Sequence, residues 1–192
     1  RQNHINIKNC FGGIMKKYRV VSNILIVAML LSLIMFVFNI NGNYVFNYNN
    51  PKVIYSGNSD SKKVSLMINV YWGNEYIDDI LCIFKENDVK TTFFVGGSWA
   101  VKHPEILKKI YADGHEIANH GYFHKDQDKL SYQQNYDEIK KCHEVVKSIL
   151  DIEMNLFAPP SGAFNKSTLE ACENLRYKAI MWTYDTIDWR DK

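Results

Sequence analysis

The chain has 192 residues and a formal net charge of +2, with 23 Lys and Arg against 21 Asp and Glu. So even a balance offers neither a basic stripe nor an acidic tail, and no nucleic-acid partner is expected. The abundance of Asn, Ile, Lys and Tyr carries no functional information.

Residues 20–40 are almost wholly apolar, broken by Ser22, Asn23, Ser32 and Asn39, with Lys16, Lys17 and Arg19 just before them. About 20 such residues at ~1.5 Å rise each cross a bilayer core. The basic flank puts residues 1–19 in the cytoplasm and everything after Asn41 outside. The expectation is a single-pass protein of the cell membrane with an extracytoplasmic domain. A cleaved signal peptide is the rival, but Ile40, Asn41 and Gly42 lack the small-residue cleavage pattern, which favours an uncleaved anchor. Met15 to Arg19 reads as the natural start of such an anchor, so residues 1–14 are set aside from fold reasoning. Residues 41–62, rich in Asn, Ser, Gly and Lys around Pro51, read as a spacer. The globular domain is expected over 63–192.

Within that domain the apolar period switches repeatedly. A strand over 64–70 precedes a helix over 76–86, where Ile77, Ile80, Leu81 and Phe84 share a face. A second strand, 91–95, leads to a helix ending at Asp113-Gly114, with His103-Pro104 as a helix start. A third strand follows at 116–118. Ser131 and Gln134 make a capping box for a long helix to Leu150, with Tyr136, Ile139, Val146 and Ile149 inward. A strand over 155–158, a helix over 166–175 and a strand over 177–183 complete a β-α-β-α-β-α-β-α-β series. Such alternation implies a parallel sheet, open or closed into a barrel. Cys10, Cys82, Cys142 and Cys172 show no CxxC spacing, so no structural disulfide is expected.

Polar clusters stand at the C-terminal ends of the predicted strands: 69–75, 120–124, 159–162 and 185–189. In a (β/α) barrel that end is the catalytic face. His120 and His124, four apart just past a strand, can converge on one ion and leave room for an oxygen ligand and a water. His115, at a helix-to-strand turn, reads as structural. Without further context Asn69 and Asn74-Glu75 read as a strand end and a turn, and Trp72 and Trp189 are equally core residues or faces on which a sugar ring stacks.

With those clusters in order, residues 64–189 resemble the polysaccharide deacetylases, also called the NodB-homology domain or carbohydrate esterase family 4, in the Gram-positive spore-associated branch. Lys90 to Gly97 (KTTFFVGG) and Gly114 to His120 (GHEIANH) carry the resemblance, and Phe157 to Gly162 and Asp185 to Trp189 extend it. The resemblance implies a distorted TIM-like (β/α) barrel, here expected to be truncated at its C-terminus, since only five strands are visible. It implies hydrolysis of N-acetyl groups on peptidoglycan or a related N-acetylated polysaccharide with a divalent metal, zinc. It assigns His120 and His124 as metal ligands. Pro159, Pro160 and Gly162 fall in the third motif and Trp189 in the fourth, all expected to bind substrate. Asp188 would tune a catalytic histidine that lies in a fifth motif beyond Lys192.

The first motif departs from the pattern. The family has Asp-Asp, one a general base and one a metal ligand, whereas this chain has Asn69 at the base position and Asn74 as the nearest oxygen donor in the loop. An amide accepts no proton near neutral pH. A metal-dependent N-deacetylase is therefore expected, with a catalytically degraded homologue that binds cell-wall glycan as the alternative. Ala158 stands where many members carry an Arg that orients the catalytic acid.

Overall fold

The computed structural model describes residue 18 and residues 21–32, 53–58, 60 and 62–187. Two compact units divide the chain, Arg1–Tyr48 and Asn49–Lys192. In the first, residues 21–32 form a helix, α1, whose side chains are exposed throughout, Ile24, Leu25 and Met29 among them. The remainder of the expected membrane segment, residues 20 and 33–40, lies outside the described residues. Among the described residues no helix is long and apolar enough to cross a membrane.

Among its described residues the second unit holds five parallel strands, β1 (Met67–Val70), β2 (Thr92–Val95), β3 (Glu116–Asn119), β4 (Leu156–Phe157) and β5 (Lys178–Ala179), hydrogen-bonded in the order β1-β2-β3-β4-β5. Five helices alternate with them: α2 (Ile77–Glu86), α3 (Gly97–Lys102), α4 (Pro104–Ala112), α5 (Tyr132–Leu150) and α6 (Lys166–Asn174). Single 3-10 turns at Gln127–Lys129 and Pro160–Gly162 sit in the loops after β3 and β4. The predicted alternation is thus met as a parallel α/β sheet. Within the expected spacer, Ile54 pairs in parallel with Ile180, beside β5.

Local signals explain the boundaries. Ser131 accepts from the Gln134 N–H, and the Gln134 side chain accepts from Ser131 in return, so both donors at the start of α5 are satisfied. Asn165 and Thr168 repeat that reciprocal cap on α6. Pro104 at the first turn of α4 lacks an N–H and holds His103 out of helical geometry, which splits α3 from α4. Cys82, Cys142 and Cys172 are free thiols, the last two buried, while Cys10 lies outside the described residues.

The sheet has two unlike faces. One packs on all five of these helices and forms the main core: Val70, Phe93, Val95, Ile117 and Phe157 from strands meet Leu81, Trp99, Leu107, Ile139, Val146 and Cys172 from helices. Each fully buried large apolar side chain there contributes about 1.5–3 kcal/mol. The other, inner face carries Phe94, Ala118 and Ala158 with Met67, Leu156 and Ile180 around them. Strand alternation decides which residues arrive on which face.

Candidate active site

Register places Asn69 level with Phe94, and Phe94 level with Ala118. Asn69 therefore belongs to the inner face, and His120, two residues past Ala118, stands on that same face at the strand tip. Val70, the residue after Asn69, is level with Val95 and Asn119, is 4% exposed, and packs into the helix-side core.

His120 is 2% exposed and its Nδ1 lies 2.8 Å from the Ala158 carbonyl oxygen. A carbonyl only accepts, so Nδ1 carries the proton and Nε2 keeps its lone pair, the tautomer a metal-binding imidazole needs. Burial pushes the His120 pKa down to about 4, with His124 adding to the shift against the Ala158 hydrogen bond. The unfolded chain, with an ordinary histidine near 6.5, takes up this proton more readily. Stability from this group is therefore fully present above pH 6.5 and is lost as pH falls toward 4, by on the order of 3 kcal/mol. Urea midpoints measured across that window should fall with acidification, and His120→Asn should flatten the slope; an unchanged slope would place the proton elsewhere.

Gly121 (φ +75°) and His124 (φ +53°) turn the chain sharply, and the two imidazole centroids come within 5.1 Å. Burial also holds the His124 pKa below its ordinary value. Two buried side chains fix this turn. Asn119 Oδ1 accepts the Gly121 N–H at 2.8 Å, while its amide donates to the Ile139 carbonyl at 2.8 Å and to the Tyr177 hydroxyl at 3.2 Å. Glu138, on α5 and 7% exposed, accepts the N–H groups of Tyr122 at 3.0 Å and Phe123 at 2.7 Å through Oε2, and its Oε1 meets Lys125 Nζ at 3.4 Å. Charge-assisted bonds of this kind hold backbone in place more firmly than neutral ones.

The loop after β1 reaches the histidines through aromatic rings. Tyr71 stacks on His124 with centroids 4.3 Å apart and 22° between planes, and Trp72 lies 6.0 Å from His124. Tyr71 also donates its hydroxyl to the Phe123 carbonyl at 3.1 Å. Asn74 opens the turn into α2, its carbonyl accepting from the Ile77 N–H at 3.2 Å and its own N–H donating to Glu75 Oε2 at 2.9 Å. From β4, Pro160 closes on the turn at Gly121, and Gly162 (φ +67°) leaves room for the Trp182 ring, 3.1 Å from where a Cβ would stand. Pro159 leads into that turn. The Asp126 carboxyl, two residues past His124, is held below the usual range chiefly by Lys129, 2.6 Å away. His115 is buried and accepts the Thr91 N–H at 3.3 Å, the structural role expected. Asp188 and Trp189 lie outside the described residues.

The Nε2 lone pair of His120 suits a divalent ion, but no group of three His, Cys, Asp or Glu side chains gathers anywhere among the described residues. A catalytic zinc site takes three protein ligands. Among the described residues the two imidazoles have no third ligand of that set.

Glu138 and Tyr71 are the site residues that sequence reasoning passes over. The signal for Glu138 is its place in the stripe Asn135, Glu138, Ile139, Cys142, Val146, which the structure buries on one face of α5. Of the predicted stripe, Ile139 and Val146 lie fully buried on that face, while Tyr136 and Ile149 are partly buried at its margin.

A family model described as polysaccharide deacetylase matches residues 56–180. An uncharacterized protein, YlxY of Bacillus subtilis, is 41% identical over 140 residues, 73% of this chain and 44% of the relative. The peptidoglycan-N-acetylmuramic acid deacetylase PdaA of the same organism is 31% identical over 137 residues, 71% of this chain and 52% of the relative. Among solved structures, a carbohydrate esterase family 4 pseudoenzyme from Bacillus anthracis superposes with a TM-score of 0.71 at 38% identity, over 73% of this chain and 50% of that one. A mutant of that pseudoenzyme, also with a TM-score of 0.71, is described as having restored enzymatic activity. The chain spans about half the length of these relatives.

Proposed function

The chain belongs to the polysaccharide deacetylase family, and from that membership we propose that it binds N-acetylated cell-wall glycan over the His120–His124 turn while turning it over weakly or not at all. The observation that carries this is the inner face itself: β1 brings Asn69 to the face that holds His120 and turns Val70 into the helix-side core. Hydrolysis of an acetamide needs a group that takes a proton from water and a charge that steadies the oxyanion. An amide at 69 does neither. Support also comes from the likeness to the pseudoenzyme, at 38% identity, which exceeds the 31% to the muramic acid deacetylase.

One observation favours a second reading, a working zinc-dependent N-deacetylase of peptidoglycan: the His120 ring is held with its Nε2 lone pair available. In that case Asn69, Asn74 or a residue outside the described ones would supply the third ligand, and Asp188 and Trp189 would complete the site. Under either reading we place the domain outside the cell, on a membrane anchor at 20–40. The exposed apolar helix α1 supports this.

Calorimetric titration of the full chain with N-acetylglucosamine oligomers, alongside acetate release with Zn²⁺ and with chelator, tests the proposal. Binding without chelator-sensitive release is the expected result. Rapid release that chelator abolishes would overturn it in favour of the second reading.

A further inference from the structure

Trp72 is 79% exposed and stands beside the histidine turn, its ring 6.0 Å from that of His124. Its exposure does not come from a loose loop. The Gly73 carbonyl accepts from Nε1 of the buried Trp99 at 3.1 Å, and on the other side Tyr71 is fixed by its hydroxyl to Phe123. The Tyr71 ring also lies against Gly96, where an added Cβ would be 2.8 Å from Tyr71 Cδ2. The indole is thus held out in water between two anchored residues, 5.8 Å from the Tyr71 ring and 6.0 Å from the His124 ring.

We infer that Trp72 is a stacking platform for a pyranose ring of an N-acetylated glycan whose acetamido group lies over the histidine pair. This rests on the glycan-binding reading above and names the residue that grips the sugar. A pyranose has an apolar face of C–H groups and a polar rim, and it matches a single aromatic ring bordered by hydrogen-bonding groups. Next to Trp72 in the loop, Gly73 lies against the exposed carboxylate of Glu75, which supplies the polar group of such a border. A protein partner would call instead for a continuous patch of about 800 Å², and the neighbouring Gly73, Asn74 and Glu75 are not apolar.

The test titrates the full chain, Trp72→Ala and Trp72→Phe with N-acetylglucosamine oligomers, by calorimetry and by tryptophan emission. The unaltered chain should bind with a blue shift of emission, because the exposed indole becomes covered. Trp72→Ala should weaken binding about tenfold or more. Trp72→Phe should keep binding within about threefold, since a smaller ring still stacks, and should show a smaller blue shift than the unaltered chain. Equal binding by the unaltered chain and Trp72→Ala, with no change of emission, overturns the platform and leaves the glycan-binding reading standing. No binding by the unaltered chain overturns both.

Discussion

An Asn69→Asp variant is expected to release acetate from N-acetylglucosamine oligomers about 10²- to 10⁴-fold faster than the unaltered chain. The substitution is close to isosteric, and position 69 is exposed on the inner face, so a carboxylate there keeps its solvation and does not need to be buried. It stands on the same face as His120 and supplies a carboxylate where the unaltered chain has an amide. A carboxylate can take the proton from water, and it can also serve as an anionic ligand beside the two imidazoles. Measuring Zn²⁺ affinity and rate separately tells these apart: a ligand raises both, a base raises the rate alone. Sugar affinity should stay the same, because the substitution is close to isosteric and leaves Trp72 and the histidine turn unaltered. If the unaltered chain already works as fast as the Asn69→Asp variant, Asn69 is not what limits it. Val70→Asp is no substitute, since it would bury a carboxylate among Phe93, Val95 and Trp99.

Replacing Glu138 by Ala is expected to cost roughly 2–5 kcal/mol of stability, because it strands the Tyr122 and Phe123 N–H groups beneath the histidine turn. Glu138→Gln keeps one acceptor oxygen and should recover most of that. Destabilisation alone would not show that Glu138 positions the site, so the informative readout is local. In Glu138→Gln the Tyr122 and Phe123 amides should exchange faster and the His124 imidazole resonances should move, with the amides of β2 unchanged. A Glu138→Ala variant within about 0.5 kcal/mol of the parent, or unmoved His124 signals, would remove Glu138 from the groups that hold the histidine turn.

Much of this was legible in the residues. The alternation of apolar runs with helical stripes gives the parallel α/β sheet, and Ser131 with Gln134 marks the start of α5 where the structure has it. The pairing of His120 with His124 follows from their spacing beyond β3. What stayed hidden is long-range. Glu138 reads as a solvated helix acid, since its partners are main-chain donors 15 and 16 residues earlier. Tyr71 reads as a strand-end aromatic until β1 and β3 are set either side of β2, which brings its ring onto His124. The apolar run at 177–183 suggests a long last strand, yet only Lys178 and Ala179 form a ladder, because β4 beside them is itself two residues long.

The pairing of Ile54 with Ile180 also bears on how the molecule is made. Ile54 donates to the Ala179 carbonyl at 2.9 Å and accepts from the Met181 N–H at 2.8 Å, and Thr183 bonds the Tyr55 carbonyl 128 residues away in sequence. Contacts of such separation form late, since the whole intervening chain must be ordered first. During synthesis the segment around Ile54 emerges early and waits, unpaired, until residues 178–183 follow it from the ribosome. The β5 margin is then sealed later than the ladders of β1, β2 and β3, and a nascent chain stalled before that point would present an open strand to its neighbours.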